Sequence, residues 1–173
     1  MNRTEKFIDF MRRFRCQGEQ FFVRSISEKD IETLRRWKNN HRKSFFYQGI
    51  ISPKQQKAWY SKFVLDDNQQ MFVCETVERL IACVGFKNAH KGKIELYNLI
   101  CGDPRYLRKG LMSHLYQAIE KIIKEEKFNE IYLYVLKNNV AAQEWYKRQG
   151  FKCQPRRGGN SYLMKRFIEK EPL

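Results

Sequence analysis

Apolar residues recur along the chain with two periods, every second and every third or fourth position, and the switches between them mark the elements. Residues 4–15 carry Phe7, Phe10, Met11 and Phe14 at helical spacing beside Arg12, Arg13 and Arg15, which predicts an amphipathic helix. Its apolar face is short, so it is expected to pack on the rest of the protein or on a second subunit of a homodimer; a membrane surface is the rival. After Gly18 the run 21–26 reads as a strand. Ser27, with Asp30 three residues on, resembles a capping box and predicts a helix to about Asn39, with Ile31, Leu34 and Trp37 on one face. Ser52-Pro53 opens a second helix carrying Trp59, Tyr60 and Phe63, which Asp66-Asp67-Asn68 breaks.

Three strand-like runs follow, 71–76, 80–86 and 94–101, the first two joined as a hairpin through Val77-Glu78-Arg79. Gly110 opens a helix striped with Leu111, Leu115, Ile119 and Ile122. Residues 130–136 read as a strand and 140–149 as a helix ended by Gly150. A short strand begins at Phe151, Gly158-Gly159-Asn160 turns the chain, and 162–168 closes it. The expected fold is α/β (α+β): a mixed, mostly antiparallel sheet of six to seven strands flanked by about four helices. Residues 1–18 form a helical extension and 19–173 the domain.

A length of 173 residues suits one core that needs no metal or partner to fold. No apolar run approaches the ~18–20 residues of a membrane span, and the N-terminal stretch lacks a secretory pattern, so a cytoplasmic location is expected. The net charge of +15 disfavours polycationic partners and favours anionic ones: nucleotide, phosphate or nucleic acid. Cys16, Cys74, Cys83, Cys101 and Cys153 form no CxxC pair and read as free thiols. His41, His90 and His114 share no ligand spacing, so no metal site is assigned.

Two places carry chemistry. Strand 94–101 runs into the basic loop Arg105-Tyr106-Leu107-Arg108-Lys109-Gly110 and then a helix N-terminus, an arrangement that binds anions through free N–H groups. Further on, Asn139-Val140-Ala141-Ala142-Gln143-Glu144-Trp145-Tyr146-Lys147-Arg148-Gln149-Gly150-Phe151 reads N-x-x-A-x-x-x-Y-x-x-x-G-F. An amphipathic helix explains its apolar positions, but not the Asn, Tyr and Gly-Phe together.

These segments resemble the two signatures of the GNAT N-acetyltransferases, which move an acetyl group from acetyl-CoA (coenzyme A) to an amine. The second signature matches at every fixed position. In the first, Leu107 stands where the family has Gln or Arg, and Met112 where it has Gly or Ala. The resemblance implies that Leu99, Ile100 and Cys101 pair with the pantetheine arm and offer an N–H to the thioester oxygen. Leu107, Arg108, Lys109, Gly110, Leu111, Met112 and Ser113 would hold the pyrophosphate. Asn139 would hydrogen-bond the pantetheine, and Tyr146 would protonate the departing thiolate. Glu95 is the candidate base that frees the amine, with an exposed ion-paired Glu as the alternative.

The acceptor side of the resemblance falls on the basic segments. Residues 33–65 hold eight Lys or Arg and no acid, interleaved with Trp37, Phe45, Phe46, Tyr47, Trp59 and Tyr60. Basic groups beside aromatic faces suit a phosphorylated, ring-bearing acceptor, and Trp37, Arg42, Phe46, Tyr47 and Tyr97 are the candidate contacts. The stretch 34–40 with 51–53 and Trp59-Tyr60 is similar to the branch of ribosomal-protein N-terminal and nucleotide-linked amino-sugar acetyltransferases. A nucleotide-linked amino sugar is the first expectation and a protein N-terminus the second. A non-catalytic CoA- or nucleic-acid-binding module on the same fold stays open, without a recognition motif to support it.

Overall fold

Strand 69–75 buries four consecutive residues, 71–74. A strand that hides side chains on both faces must lie between two apolar layers. The computed structural model describes residues 12–16, 18–154 and 159–168 and shows those layers. In chain order the elements are β1 (Arg12–Cys16), β2 (Glu19–Ser25), α1 (Ile31–Asn40), α2 (Pro53–Phe63), β3 (Gln69–Glu75), β4 (Leu80–His90), β5 (Lys93–Cys101), α3 (Leu111–Glu125), β6 (Glu130–Leu136), α4 (Val140–Arg148), β7 (Lys152–Gln154) and β8 (Ser161–Phe167). The strands form one sheet in the order β1-β2-β3-β4-β5-β6-β8-β7. Only β5 and β6 pair in parallel, as their α3 crossover allows.

Phe72 and Cys74 of β3 join the main core with Leu111, Leu115 and Ile119 of α3. Met71 and Val73 join a second core with Leu34 and Trp37 of α1, against which Trp59 and Phe63 of α2 pack. The α3 stripe and the α1 stripe therefore serve opposite faces of the sheet. Local chemistry fixes the helix starts. The Ser52 hydroxyl accepts from the Gln55 N–H at 3.2 Å while the Gln55 side chain accepts from the Ser52 N–H at 2.8 Å, with Pro53 in the first turn. Asp30 caps similarly, accepting from the Ser27 N–H at 2.8 Å, and one tight turn precedes α1. Gly150 has φ +84°, as a chain leaving a helix requires.

Part of the expected N-terminal helix is corrected. Residues 4–11 lie outside the described residues, but Arg12–Cys16 is a strand, paired with β2 from Arg12↔Val23 to Cys16↔Glu19. The expected boundary after Gly18 falls in the turn of this hairpin, where Gly18 has φ +81°. The physical reason lies in the period. Phe14 and Cys16 alternate with Arg13 and Arg15, and the free edge of β2 recruits that alternation as an eighth strand. Among the described residues no helix is long and apolar enough to cross a membrane.

Candidate active site

Two strands that start together and then part create the site. β5 and β6 pair only at Lys93↔Glu130, Ile94↔Ile131 and Glu95↔Tyr132, although both continue beyond. Past Glu95 the β5 edge that faces β6 therefore has no strand partner. A bulge helps to turn β5 aside. Cys83 pairs with Ile100 and Gly85 with Tyr97, so Val84 is opposed by two residues, and one of them, Asn98, has φ +48°. Such bulges re-aim side chains and interrupt pairing.

The gap opens into a cavity of about 780 Å³. Seven of the sequence-predicted residues line it: Glu95, Tyr97 and Leu99 from β5, Asn139 and Tyr146 from the α4 segment, and Phe46 and Tyr47 at the mouth. The other predicted residues do not line it. Trp37 is buried in the second core, with its ring against Gly102, where a Cβ would overlap the indole. Arg42 is exposed on the turn after α1. Ile100 is buried in the second core, and Cys101 is half-buried with its thiol toward the Asp103 carbonyl. Lys38 and Trp59, which belong to the basic and aromatic segment 33–65 but were not among the candidate contacts, also line the cavity, as do Lys87, Asn98 and Ser161, for which the sequence offers no such signal. The Lys87–Glu95 pair depends on the register shift between Lys87 and His90, since regular pairing from His90↔Lys93 would set Lys87 opposite Leu96; the others depend on the second bulge and the parting strands.

Tyr146 and Glu95 differ in their surroundings. The Tyr146 ring packs on Trp145 and Phe151, at 5.3 and 5.7 Å between centroids. Its hydroxyl has no hydrogen-bond partner among the described residues, and burial pushes its acidity well below that of an ordinary phenol, so the proton stays on. Glu95 is buried; its carboxylate accepts from the Asn88 amide at 2.7 Å and lies 3.3 Å from Lys87 Nζ. The Asn139 side-chain oxygen accepts from the Ala142 N–H at 3.3 Å, which caps α4 and leaves its NH₂ available to the cavity. Tyr97 donates to the Gln69 side-chain oxygen at 3.2 Å and lies beneath Lys87 Nζ, 5.1 Å from the ring centre. Burial pushes the Cys83 thiol up to about 12 and the Cys101 thiol up to about 11, so neither is a ready nucleophile.

The loop ahead of α3 lies outside the cavity lining. There Arg108 and Gly110 both take left-handed backbone, at φ +61° and +81°. The backbone N–H groups of Arg108, Gly110, Leu111 and Met112 have no acceptor among the described residues. Four free donors at a helix N-terminus fit a diphosphate, whichever side chains occupy the loop. Met112 packs its side chain against the main core and Leu107 is exposed, so the two departures from the signature leave these amides uncovered. The parted strands, the four amides and the free phenol together fit CoA. Among the described residues no group of three His, Cys, Asp or Glu is placed to hold a metal ion.

Comparison with known proteins bears on the same segment. The family model described as "Acetyltransferase (GNAT) family" matches residues 34–151. No curated protein matches the chain in sequence. Among solved structures, the PaiA N-acetyltransferase of Thermoplasma acidophilum in complex with coenzyme A is 25% identical, with a TM-score of 0.67 over 86% of this chain and 99% of that one. The spermidine N-acetyltransferase of Vibrio cholerae, in complex with CoA and spermine, is 20% identical, with a TM-score of 0.70 over 87% and 95%. A ribosomal-protein-alanine N-acetyltransferase from Brucella melitensis is 13% identical, with a TM-score of 0.67 over 84% and 99%; these last two show likeness of fold. The model match runs from α1 through the site to Phe151, most of the chain, and the chain belongs to the GNAT family of acetyltransferases, which take their acetyl group from acetyl-CoA.

Proposed function

We propose that the protein transfers the acetyl group directly to a primary amine on an anionic acceptor, such as a nucleotide-linked amino sugar. The observation that carries this reading is the Tyr146 phenol, which has no hydrogen-bond partner among the described residues and lines the same cavity as Glu95. Acetyl-CoA supplies an acetyl group already activated as a thioester. The amides of Arg108, Gly110, Leu111 and Met112 hold the diphosphate, and Arg108 and Lys109 add positive charge. The unpaired β5 edge around Leu99 holds the pantetheine arm and presents an N–H where negative charge develops on the thioester oxygen. The free NH₂ of Asn139 donates to the same arm.

The amine must lose a proton before it attacks. Glu95 is the only carboxylate lining the cavity among the described residues. Two contacts leave a carboxylate with lone pairs to spare, so Glu95 accepts the amine proton through a water. Tyr146 donates its proton to the departing sulfur. The acceptor's negative charge matches the acid-free, basic segment 33–65 and the aromatic mouth. The test is thiol release from acetyl-CoA with a panel of amines: nucleotide-linked amino sugars, polyamines and peptides with free N-termini. Release with the amino sugars is expected. Release with peptides alone would move the acceptor to a protein N-terminus, and no release with any amine would refute the reading.

A further inference from the structure

Lys38 stands apart from the other charges of the cavity. Lys87 is balanced by Glu95 at 3.3 Å. Lys38 is half-buried, lines the cavity, and pairs with no carboxylate among the described residues. Its Nζ donates to the Asn98 side-chain oxygen at 3.2 Å and lies 5.3 Å from the centre of the Phe45 ring. An ammonium has three donors, and these neighbours use one donor and one face. The position is fixed by the fold. Leu34 and Trp37 anchor α1 in the second core. The Asn39 side chain clamps Ile51 through both its N–H and its carbonyl, at 2.9 and 3.0 Å, which ties down the strap carrying Phe45 and Tyr47.

A lysine taken out of water without a counter-charge is unfavourable, and such groups are normally paired. Burial is the main effect that pulls the Lys38 ammonium below its ordinary value; the Cys83 thiol opposes it and the Lys87 charge adds to it. An anionic group entering the cavity would relieve both the burial and the Lys87 effect. The charged groups lining the cavity are Lys38, Lys87 and Glu95, so the formal balance is one positive charge, with the tyrosines neutral. A polyamine would add several positive charges to that balance. A monoamine carrying a phosphate would neutralise it while leaving its amine for Glu95.

We infer that Lys38 is the specificity-determining residue of the acceptor site and recognises a phosphate group on the amine acceptor. This assignment rests on the acetyl-transfer reading above. Beside Asn98, Lys38 sets the anionic end of the acceptor at the α1 side of the cavity. The aromatic faces of Phe45 and Trp59 line the space beside it. Phosphate on a sugar and phosphate in a nucleotide diphosphate share this chemistry, and the experiment separates them.

The experiment is calorimetric titration of the CoA-saturated protein, so that the loop before α3 is already filled. Glucosamine 6-phosphate, glucosamine, UDP and spermidine are the ligands, and the proteins are wild type, Lys38→Met and Lys38→Arg. Wild type is expected to bind glucosamine 6-phosphate or UDP at least ~10-fold more tightly than glucosamine, and spermidine least tightly. Tighter binding of the sugar phosphate points to a sugar-borne phosphate, and tighter binding of UDP to a nucleotide. Lys38→Met should bring the phosphate preference close to one, and Lys38→Arg should keep most of it. A thermal melt of each variant checks folding, and the arginine variant preserves the comparison if the methionine variant is unstable. An unchanged preference in Lys38→Met, no binding of either phosphate ligand to CoA-loaded wild type, or spermidine binding most tightly would each overturn the assignment. Failure of wild type to bind CoA would overturn the transferase reading, and this assignment with it.

Discussion

Replacing Tyr146 by Phe removes one hydroxyl that makes no hydrogen bond among the described residues, so its effect separates chemistry from folding. The ring contacts with Trp145 and Phe151 remain, and no hydrogen bond within the described residues is lost. The melting temperature should therefore move by less than about 2 °C. Rate is another matter. A phenol made less acidic by burial is a weaker acid than a thiol, so full proton transfer ahead of C–S cleavage is uphill. Its contribution is that of a hydrogen bond to a sulfur gaining negative charge, worth about 1.5–3 kcal/mol. At 1.4 kcal/mol per decade this predicts a fall in kcat of roughly 10- to 150-fold, with the KM for acetyl-CoA nearly unchanged. Steady-state thiol release against acetyl-CoA concentration measures both. An unchanged kcat, or a loss expressed wholly in KM, would refute the acid role.

Other outcomes test the surrounding framework. Arg108→Ala with Lys109→Ala should raise the CoA dissociation constant by about 10-fold, because the four amides remain in place; calorimetry that shows no change would move the diphosphate elsewhere. Gly85→Ala places a Cβ 2.5 Å from Tyr97 Cε1, so the ring must shift, at a cost of about 1–3 kcal/mol; the KM for the acceptor should rise more than that for acetyl-CoA. Asp30 makes stability depend on acid. Burial pushes its carboxyl upward, but the hydrogen bonds from Arg24, at 2.7 and 3.0 Å, and from Ser27 outweigh that and hold it below the usual range. A depressed value stabilises the fold above the unfolded value of about 4, and that contribution is lost as the pH falls below it. Urea denaturation from pH 7 down to pH 3 should show the loss in wild type. Asp30→Asn should flatten it and cost about 3 kcal/mol at pH 7.

The elements that carry their own punctuation were legible in the sequence. Ser52-Pro53, Gly110 and Gly150 mark helix ends that the structure places within a residue or two. The run at 71–76 is uninterrupted because β3 is covered on both faces. Tyr146, Asn139 and Glu95 were named from pattern, and the fold brings all three to one cavity. What escaped depended on tertiary geometry. Trp37 has the composition of a ligand contact, but its spacing from Leu34 on α1 commits it to the core, and Gly102 leaves room for the ring. Lys38, its neighbour in sequence, reaches the cavity instead. The left-handed turns at Asn88 and Asn98 carry no signal, since asparagine in a strand predicts only weak pairing. β1 was obscured because Phe7, Phe10, Met11 and Phe14 follow a helical period, and the period-two alternation of Phe14 and Cys16 with Arg13 and Arg15 is too short to compete with it.

The three rungs joining β5 to β6 are all that stitch the first five strands to the last three within the sheet. Beyond them the sheet is an unzipped seam, closed at one end and propped by α3 and α4. On the proposed placement of the pantetheine arm along that seam, the cofactor would supply the missing ladder and act as a keystone as well as a donor. Loading the protein with CoA should then knit two half-sheets into one cohesive body, and the mechanical integrity of the fold becomes a gauge of cofactor supply.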